Sequence, residues 1–418
     1  MSFDPNVMLM PNGLRVITVA RPKTPTVAVR VYVRAGSRYD VEHEVAGSPQ
    51  GALGLAHLTE HLLFKGTTRR SQREIFGSVE RLGGALDGGT TKEYAALSVV
   101  VARQGLPTAL NVLGELIAEP ALREEDLWSE KLVVSEEIRL AQDQQAVIHG
   151  LFAKTLWRQH PFRHPVQGSS QAMGSVDLDT LLAFHRQRYV AGNMVLSVCG
   201  DTTPERVGGL VGDAFDGLRA GSEQPPTFVR ERPPSQPRRA HLTKDIAQTH
   251  VLIGVPTVDM SDEDRGPLKV IERVLGMGGS ARLYQRLREE LGLAYSVRTV
   301  SAHYEDAGCL AVHVACDPSN VSSVERAVRQ VWEALCQEGA SADELSAAKG
   351  NYAGTLARRF ETNRALAGIF GVEGLLHCLE PFDEALRRID AVTRGDVVRV
   401  ARTYLIPRHT VTVTVGRC

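Results

Sequence analysis

Hydrophobic positions follow two different periods along this chain. Val27–Val33 and Val251–Val255 alternate as β-strands do. Glu124–Leu140 instead repeats at helical spacing, with Leu127 and Val134 on its apolar side. Because both patterns occur within each half of the chain, we predict an α+β layer structure.

A proline-rich stretch separates the two halves. Residues 219–239 hold five prolines, several charges and few large apolar side chains, which is typical of an extended surface linker. We therefore predict an N-terminal domain over 1–218, a linker over 219–239 and a C-terminal domain over 240–418.

The two halves end on the same plan. Leu181–Asp201 and Val397–Arg417 each show a helical pattern, a tyrosine, a short turn and a strand that closes on glycine. Tyr189 and Tyr404 occupy matching places. Two unrelated αβ endings are the alternative, but the shared order favours distant repeats of one domain.

Composition describes an ordinary globular chain. The 418 residues are 43% hydrophobic and 23% charged, which is ample for sizeable cores. A net charge of −1 gives no reason to expect nucleic acid or an anionic membrane as a partner. No secretory or transmembrane apolar run is visible, and no two cysteines form a CxxC pair, so we expect free thiols and a cytoplasmic protein. The six cysteines are Cys199, Cys309, Cys316, Cys336, Cys378 and Cys418.

The strongest chemical signal is the segment His57-Leu58-Thr59-Glu60-His61. On a helix, histidines four residues apart lie on one face and can bind a single cation. The glutamate lies about 100° round from the second histidine, so its carboxylate can reach a water molecule on that cation. The order H-x-x-E-H is the inverzincin pattern. The alternative is two surface histidines beside a capping glutamate.

A third ligand must come from elsewhere, because catalytic zinc takes three protein ligands and leaves one position for water. Glu130 and Glu137 are two turns apart on the predicted helix over Glu124–Leu140 and so share a face. That face can give one carboxylate to the metal and use the other to orient ligands or water. Glu136 points elsewhere and is the weaker candidate. Without the histidines, a solvated acidic face would be the better interpretation.

A second histidine pair, His160 and His164, has the same spacing. Pro161 and Pro165 break any helix there, so we expect no metal at this pair.

Together these residues resemble the pitrilysin family of zinc metallopeptidases. The chain is most similar to the short two-domain branch, which includes the β subunit of mitochondrial processing peptidase and bacterial processing proteases. That family has a ligand glutamate about 76 residues after the second histidine, which is Glu137 here. It has another glutamate seven residues earlier, which is Glu130 here. The resemblance extends over essentially all 418 residues.

The resemblance implies two homologous α/β-roll domains and one Zn²⁺ per chain. His57, His61 and Glu137 would hold the metal. Glu60 would be the general base, and Glu130 would support the ligands.

The resemblance also implies substrate-binding residues in the C-terminal half. The family places an arginine and a tyrosine seven residues apart, where they hold the substrate near the zinc, and Arg288 and Tyr295 match that spacing. A tyrosine hydroxyl can donate to a developing oxyanion, and an arginine can fix a substrate carbonyl. The alternative is a helix-surface arginine with a half-buried tyrosine.

Gly83–Leu97 resembles the edge strand on which the family binds extended peptides. Three positions depart from the family pattern: Asp87 replaces an asparagine, Gly88 an alanine and Leu97 a tyrosine. An edge strand binds a peptide through main-chain hydrogen bonds, and the extra glycine loosens the strand.

The function implied is a zinc-dependent metalloendopeptidase that cleaves peptides or unfolded segments. Long family members close four such domains round a chamber, so a two-domain chain would pair with a second chain. A homodimer is expected, with a heterodimer containing an inactive homologue as the alternative. A non-catalytic scaffold subunit is the rival function, but such chains lose the HxxEH residues, which are present here.

Overall fold

The computed structural model describes residues 4–43, 51–140, 143–227 and 231–417. The chain forms two compact units. The N-terminal unit consists of Met1–Leu140, His164–Thr227 and Arg358–Pro381. The C-terminal unit consists of Ala141–Arg163, Phe228–Ala357 and Phe382–Cys418.

Strands and helices are numbered separately, in chain order. The strands are β1 (Asn6–Leu9), β2 (Arg15–Ala20), β3 (Thr26–Val33), β4 (Ala85–Thr90), β5 (Ala95–Ala102), β6 (Met194–Gly200), β7 (Arg238–Thr243), β8 (Thr249–Thr257), β9 (Ala294–His303), β10 (Gly308–Cys316) and β11 (Val411–Gly416). The helices are α1 (Leu55–Leu63), α2 (Gln72–Glu80), α3 (Leu106–Ala118), α4 (Glu124–Leu140), α5 (Gln144–Leu156), α6 (Ser170–Ser175), α7 (Leu178–Arg188), α8 (Pro204–Ala214), α9 (Arg265–Gly276), α10 (Arg282–Tyr284), α11 (Val321–Glu338), α12 (Ala342–Arg359), α13 (Asn363–Leu375), α14 (Phe382–Asp390) and α15 (Arg394–Tyr404).

Each unit is built on one mixed sheet. In the N-terminal unit the strand order is β1-β2-β6-β3-β5-β4, and in the C-terminal unit it is β7-β11-β8-β10-β9. In both sheets the last strand in sequence pairs parallel with one neighbour and antiparallel with the other. The five strands β2 to β6 of the first sheet therefore correspond, in chain order, to the five strands β7 to β11 of the second. The predicted α+β class is confirmed.

The shared ending of the two halves is confirmed in detail. Tyr189 directly follows α7, and Tyr404 is the last residue of α15. A short 3₁₀ turn then leads into β6 or β11, and both strands end on glycine. The strand predicted over Val27–Val33 is β3, and the helix predicted over Glu124–Leu140 is α4.

Two segments lie in the unit opposite to their half of the sequence. In α5, Phe152 and Leu156 pack beneath Val413 of β11 in the C-terminal unit. In α13, the backbone at Gly368 accepts a hydrogen bond of 3.2 Å from the Tyr32 hydroxyl of β3 in the N-terminal unit. The predicted domains 1–218 and 240–418 place α5 in the first domain and α13 in the second, whereas each belongs to the other unit. The sequence could not predict this, because an apolar helix face shows that the helix is buried but not against which sheet.

The predicted linker is irregular where the structure describes it. Residues 219–227 and 231–237 form neither helix nor strand, and β7 begins at Arg238. Residues 228–230 lie outside the described part of the chain. Within the described ranges, no helix is both long enough and apolar enough to span a bilayer.

Candidate metal centre

Helix α1 carries both histidines of the motif and is fixed to the core by its apolar face. Leu55, Leu58 and Leu62 are buried, because they recur at helical spacing and pack into the N-terminal core. His57 and His61 lie on another face, with their ring centroids 4.5 Å apart. The helical arrangement predicted for this pair is confirmed.

The start of α1 is held by a buried carboxylate. Asp40 accepts hydrogen bonds from the backbone N–H groups of Gly54 at 2.7 Å and Ala56 at 2.9 Å. These are donors that the first turn of a helix cannot satisfy internally. Burial raises the pKa of Asp40, and the two N–H groups and the nearby Lys92 ammonium oppose that shift. Asp40 therefore anchors the end of the helix from which the metal-facing residues project.

Gly54 is required at this helix start. Its φ is +98°, in the left-handed region that favours glycine. A Cβ there would lie 2.6 Å from both the Gln167 carbonyl oxygen and the terminal methyl of Met173. The glycine lets the chain turn into α1 against this neighbouring loop.

His57, His61 and Glu137 converge on one point. A ligand atom from each lies within 4.8 Å of the others. Glu137 reaches from α4 with its two carboxylate oxygens 3.6 Å from Nε2 of His57 and 3.8 Å from Nε2 of His61. Two imidazole nitrogens and one carboxylate oxygen form a donor set typical of catalytic zinc, so the residues present fit that metal. Across the described ranges, no other group of three histidines, cysteines or acidic residues is arranged to hold a metal.

Glu130 supports this group from the same helix as Glu137. One of its carboxylate oxygens lies 2.9 Å from Nδ1 of His61, and the other pairs with the Lys65 ammonium. The hydrogen bond from His61 holds the pKa of Glu130 below its usual range, and Lys65 adds to this effect. An ionised carboxylate can only accept, so Nδ1 of His61 carries the proton and Nε2 keeps its lone pair for a cation.

The two histidines experience different electrostatic surroundings. Burial, reinforced by His61, lowers the pKa of His57 to about 4, which favours the neutral imidazole that metals bind. Burial also pulls down the pKa of His61, but the hydrogen bond to Glu130 and the nearby carboxylates of Glu60 and Glu137 outweigh it, and the pKa rises.

Glu60 is a buried carboxyl beside the three candidate ligands. Only 6% of it is exposed, and burial raises its pKa to about 7. His61 opposes the rise, whereas the carboxylates of Glu137 and Asp87 add to it. A carboxyl group with a pKa near neutral pH, next to a candidate metal site, has the properties that a general base requires.

Comparison with known proteins identifies the family. The sequence pattern described as Insulinase (Peptidase family M16) matches residues 15–170, and the one described as Peptidase M16 inactive domain matches residues 175–352. An uncharacterized zinc protease of Mycobacterium tuberculosis is 32% identical over 412 residues, which is 98% of this chain and 92% of the relative. The chain belongs to peptidase family M16.

Further relatives agree with this assignment. Uncharacterized zinc proteases of Streptomyces coelicolor and Bacillus subtilis are 30% and 28% identical, over 97% and 94% of this chain and 88% and 93% of the relatives. A protease from Helicobacter pylori superposes with a TM-score of 0.91 at 23% identity, covering 100% of both chains. A structure titled peptidase M16 inactive domain, from Pseudomonas fluorescens, gives 0.89 at 22% identity, covering 99% and 98%. At such identities the two structures show a shared fold.

In this M16 chain, the two predicted substrate residues lie together in the C-terminal unit. Arg288 belongs to a π-helical turn over Gln285–Glu290, and Tyr295 lies on β9. The Arg288 guanidinium stands over the rings of Tyr295 and Tyr284, with its carbon 4.7 Å and 5.0 Å from their centroids. Tyr295 is 75% exposed, so the alternative of a half-buried tyrosine is wrong.

The predicted peptide-binding segment contains β4, which lies at the edge of the N-terminal sheet. Two of the three residues that depart from the family pattern, Asp87 and Leu97, have defined partners in the N-terminal unit. Asp87 forms an ion pair of 2.6 Å with Arg364 of α13, and both side chains are about half exposed. Leu97 on β5 is fully buried opposite Gly88, where it belongs to the core.

His160 has a structural partner. It is fully buried in the C-terminal unit, and its Nε2 lies 3.1 Å from the Asp306 carboxylate. The Asp306 carboxylate thus satisfies one nitrogen of the buried His160 ring.

Sequence reasoning missed two residues of this centre. Lys65 follows the motif by four residues, so its place on the motif's side of the helix could have been suspected from spacing. Asp40 lies fourteen residues before Gly54, whose N–H group it accepts from, and nothing in the neighbouring sequence distinguishes it from an ordinary loop aspartate.

Proposed function

We propose that this M16 chain is a zinc-dependent metalloendopeptidase. The observation that carries the proposal is the convergence of His57, His61 and Glu137, with the buried Glu60 on the same helix as the two histidines. The relatives named zinc proteases support the same class of activity.

His57, His61 and Glu137 would hold the metal. Zinc, when bound, acidifies a water molecule and polarises a substrate carbonyl. The Glu60 carboxylate accepts a proton from the attacking water and delivers it to the nitrogen of the leaving amine. Its burial keeps bulk water from competing for that proton. Glu130 holds the His61 ring in the tautomer that leaves Nε2 free.

Arg288 and Tyr295 act on the substrate in this proposal. The Tyr295 hydroxyl donates to the oxygen that becomes negative, and Arg288 donates to a carbonyl of the bound peptide. The stacking of Arg288 on Tyr295 favours a fixed orientation of both groups, and the exposure of Tyr295 makes its hydroxyl accessible.

Peptide binding is assigned to β4. Among the described strands β4 pairs with β5 alone, so its other edge has main-chain groups available for an extended peptide. Cleavage would then favour peptides and unfolded segments, whose backbone can adopt an extended form.

Assembly and location complete the proposal. We infer that two chains pair as a homodimer round a chamber, in the cytoplasm, with a heterodimer containing an inactive homologue as the alternative. Sedimentation of the purified chain tests this, because a strict monomer with full peptidase activity would rule out the shared chamber.

A scaffold role is the competing candidate. It is favoured by the description of the pattern matching residues 175–352 as an inactive domain. That match does not include the metal-centre residues, which lie in the segment matched by the other pattern.

The decisive experiment combines metal analysis with cleavage of a quenched peptide library. The wild-type chain is expected to bind one zinc and cleave peptides. Glu60→Gln should keep zinc and lose about 10²–10⁴-fold in rate, because proton transfer fails while the ligands remain. His57→Ala and Glu137→Gln should lose the metal. Stoichiometric zinc without cleavage in a dimer would favour the scaffold, and near wild-type cleavage by Glu60→Gln would refute the mechanism.

A further inference from the structure

Strand β7 lies at the edge of the C-terminal sheet and pairs only with β11 in the part of the chain that the structure describes. The N–H groups of Arg238 and Lys244 donate to backbone carbonyls at the start and end of β11, at 2.9 Å and 3.1 Å. Since the backbone groups of successive strand residues point to alternate sides, those of Arg239 and Thr243 point away from β11. The outer edge of β7 therefore directs main-chain donors and acceptors toward a further strand.

The corresponding edge of the N-terminal sheet is covered. β2 pairs parallel with β6 as β7 pairs parallel with β11, so β2 and β7 occupy the same place in their sheets. Strand β1 lies antiparallel along the outer side of β2, with residues 6–9 opposite residues 15–18. The described residues just before β7 form no strand, and three of them, Pro233, Pro234 and Pro237, lack the N–H group that a ladder requires. A strand in the position of β1 would thus have to come to β7 from elsewhere.

A groove of about 750 Å³ follows this edge, between β7 and α5. Arg238 and Arg239 both line it, although neighbouring strand residues point to opposite faces of a sheet. Arg238 turns toward α5 and donates to the carbonyls of Thr155 and Leu156, at 3.1 Å and 2.6 Å. Arg239 turns to the other face and pairs with Glu325 of α11. A groove that reaches both arginines runs along the edge of the strand, beside its outward backbone groups.

The groove is strongly basic. None of its described lining residues is acidic, and five are cationic: Lys154, Arg158, Arg163, Arg238 and Arg239. Lys154 and Arg158 are exposed, and neither forms an ion pair with a described residue. Burial lowers the pKa of Arg238, and the nearby Arg158 adds to that shift, which Glu231 opposes. Cations gathered in this way, with few matching acids, attract an anionic partner.

We propose that the outer edge of β7 and this groove form a docking site for an acidic, extended segment of a partner polypeptide. The segment adds antiparallel to β7, as β1 does to β2, and its main chain bonds to the outward groups of Arg239 and Thr243. Its carboxylates lie beside Lys154 and Arg158. A polypeptide is favoured over single-stranded nucleic acid, because no aromatic side chain on which bases could stack is among the described lining residues. The site does not depend on the metal centre.

The charge requirement is tested by fluorescence anisotropy with a labelled octapeptide of alternating glutamate and threonine, in the Glu60→Gln background so that the probe stays intact. Alternation places all its carboxylates on one face of an added strand. Lys154→Glu and Arg158→Glu should each weaken binding about fivefold, because each turns an attraction into a repulsion.

Arg387→Glu is the matched control for this charge reversal. Arg387 is exposed on α14 and forms no ion pair with a described residue. The same change of charge there should alter Kd by less than about twofold. Equal weakening in all three variants would mean that only the net charge of the chain matters. That result, or unaltered binding in both groove variants, would overturn the proposal.

Two further probes separate strand addition from simple charge attraction. The same octapeptide with every backbone nitrogen methylated keeps its charges but donates no main-chain hydrogen bond, so it should bind at least about tenfold more weakly. An oligothymidylate of the same number of units carries a comparable negative charge on a different backbone. Equal binding of the methylated peptide would make the groove a general polyanion site, and tighter binding of the oligothymidylate would assign it to nucleic acid. Either result would overturn the proposal.

Residue-resolved hydrogen exchange locates the bound octapeptide. It should slow exchange of the Arg239 and Thr243 amides and leave those of Ala240 and Leu242, which face β11, nearly unchanged. Strand β4, the edge to which substrate binding is assigned, is the internal comparison. Protection at β7 would support the docking site whether or not the chain cleaves peptides. Protection confined to β4 would mean that the octapeptide binds as a substrate does, and it would overturn the proposal.

Discussion

The Glu130 carboxylate lies 2.9 Å from Nδ1 of His61, so a residue on α4 determines which nitrogen of a histidine on α1 carries the proton. The lone pair of Nε2 is then available beside Glu137, 3.8 Å away. Lys65 pairs with the other oxygen of Glu130 and keeps that carboxyl ionised. In the proposed zinc site, the tautomer of His61 thus depends on two charged residues, Glu130 and Lys65, that are not among the proposed ligands.

This arrangement predicts the effect of Glu130→Gln. The amide oxygen can still accept a hydrogen bond from His61, but the negative charge that faces both Lys65 and His61 is lost. We therefore expect the affinity for zinc to fall about 10–100-fold. Glu136→Gln is the control, because Glu136 lies on the same helix and pairs with Arg139 on the surface. Competition with a chromophoric chelator measures both affinities. Equal affinities in the two variants would contradict the role of Glu130.

Asp40 provides a second prediction. Asp40→Ala leaves two backbone N–H groups of the α1 start without their acceptor, at a cost of about 1–3 kcal/mol in the free energy of unfolding. We also expect weaker zinc binding, since the histidines project from this helix. Asp40→Asn keeps one acceptor and should be intermediate.

The matched control for Asp40 is the helix cap in the C-terminal unit. Asp143 accepts from the Ala146 N–H at 2.7 Å, so Asp143→Ala should cost about 1 kcal/mol. It should leave zinc affinity unaltered. Urea denaturation and zinc titration of the two alanine variants separate general destabilisation from loss of metal-site geometry.

Local patterns were sufficient to predict the helices that carry the candidate ligands. His57 and His61 lie on one face of α1 because their spacing matches one helical turn, and Glu130 and Glu137 share a face of α4 because theirs matches two. The repeat of the two sheets was also visible, since the same order of helix, tyrosine and strand ends both halves. Such features depend on neighbours in sequence.

Features that depend on distant packing could not be predicted. The packing of β4 against α1, which brings Gly88 beside the Glu60 carboxylate, joins a strand to a helix more than twenty residues away. The placement of α5 and α13 depends on which sheet offers a complementary surface, and both helices are apolar enough to be buried in either unit. A sequence pattern specifies that a face is buried but not the residues that bury it.

Arg288 and Tyr295 give a third prediction. Tyr295→Phe removes the hydroxyl but keeps the ring on which the guanidinium rests, and Arg288→Ala removes the guanidinium itself. Both should lower kcat/KM by at least about tenfold with zinc content unchanged, because both are assigned to the bound substrate. Steady-state kinetics with parallel metal analysis tests this. Wild-type kinetics in both variants would return the pair to a purely structural role.

Three histidines lie together where α5 packs on the C-terminal sheet: His250 and His313 are buried, and His149 is partly buried. Nδ1 of His250 lies 3.0 Å from Nε2 of His313, and Nε2 of His250 lies 2.6 Å from the Gln144 side-chain oxygen. Since that oxygen only accepts, His250 donates to Gln144 and accepts from His313. Burial lowers the pKa of His313 to about 3, and the nearby His149, His250 and Arg298 add to the shift.

This cluster predicts acid lability. His313 stays neutral in the folded chain, whereas in the unfolded chain it takes up a proton below about pH 6.5. Its contribution to the free energy of unfolding is therefore fully present above that pH and decreases as the pH falls toward 3. At pH 5 the free energy of unfolding should be lower by about 2 kcal/mol than at pH 7. His313→Gln keeps an N–H donor for His250 but cannot titrate, so its urea midpoint should fall less between pH 7 and pH 5. Exposed His241→Gln is the control and should follow the wild type. Parallel curves for all three chains would refute the assignment.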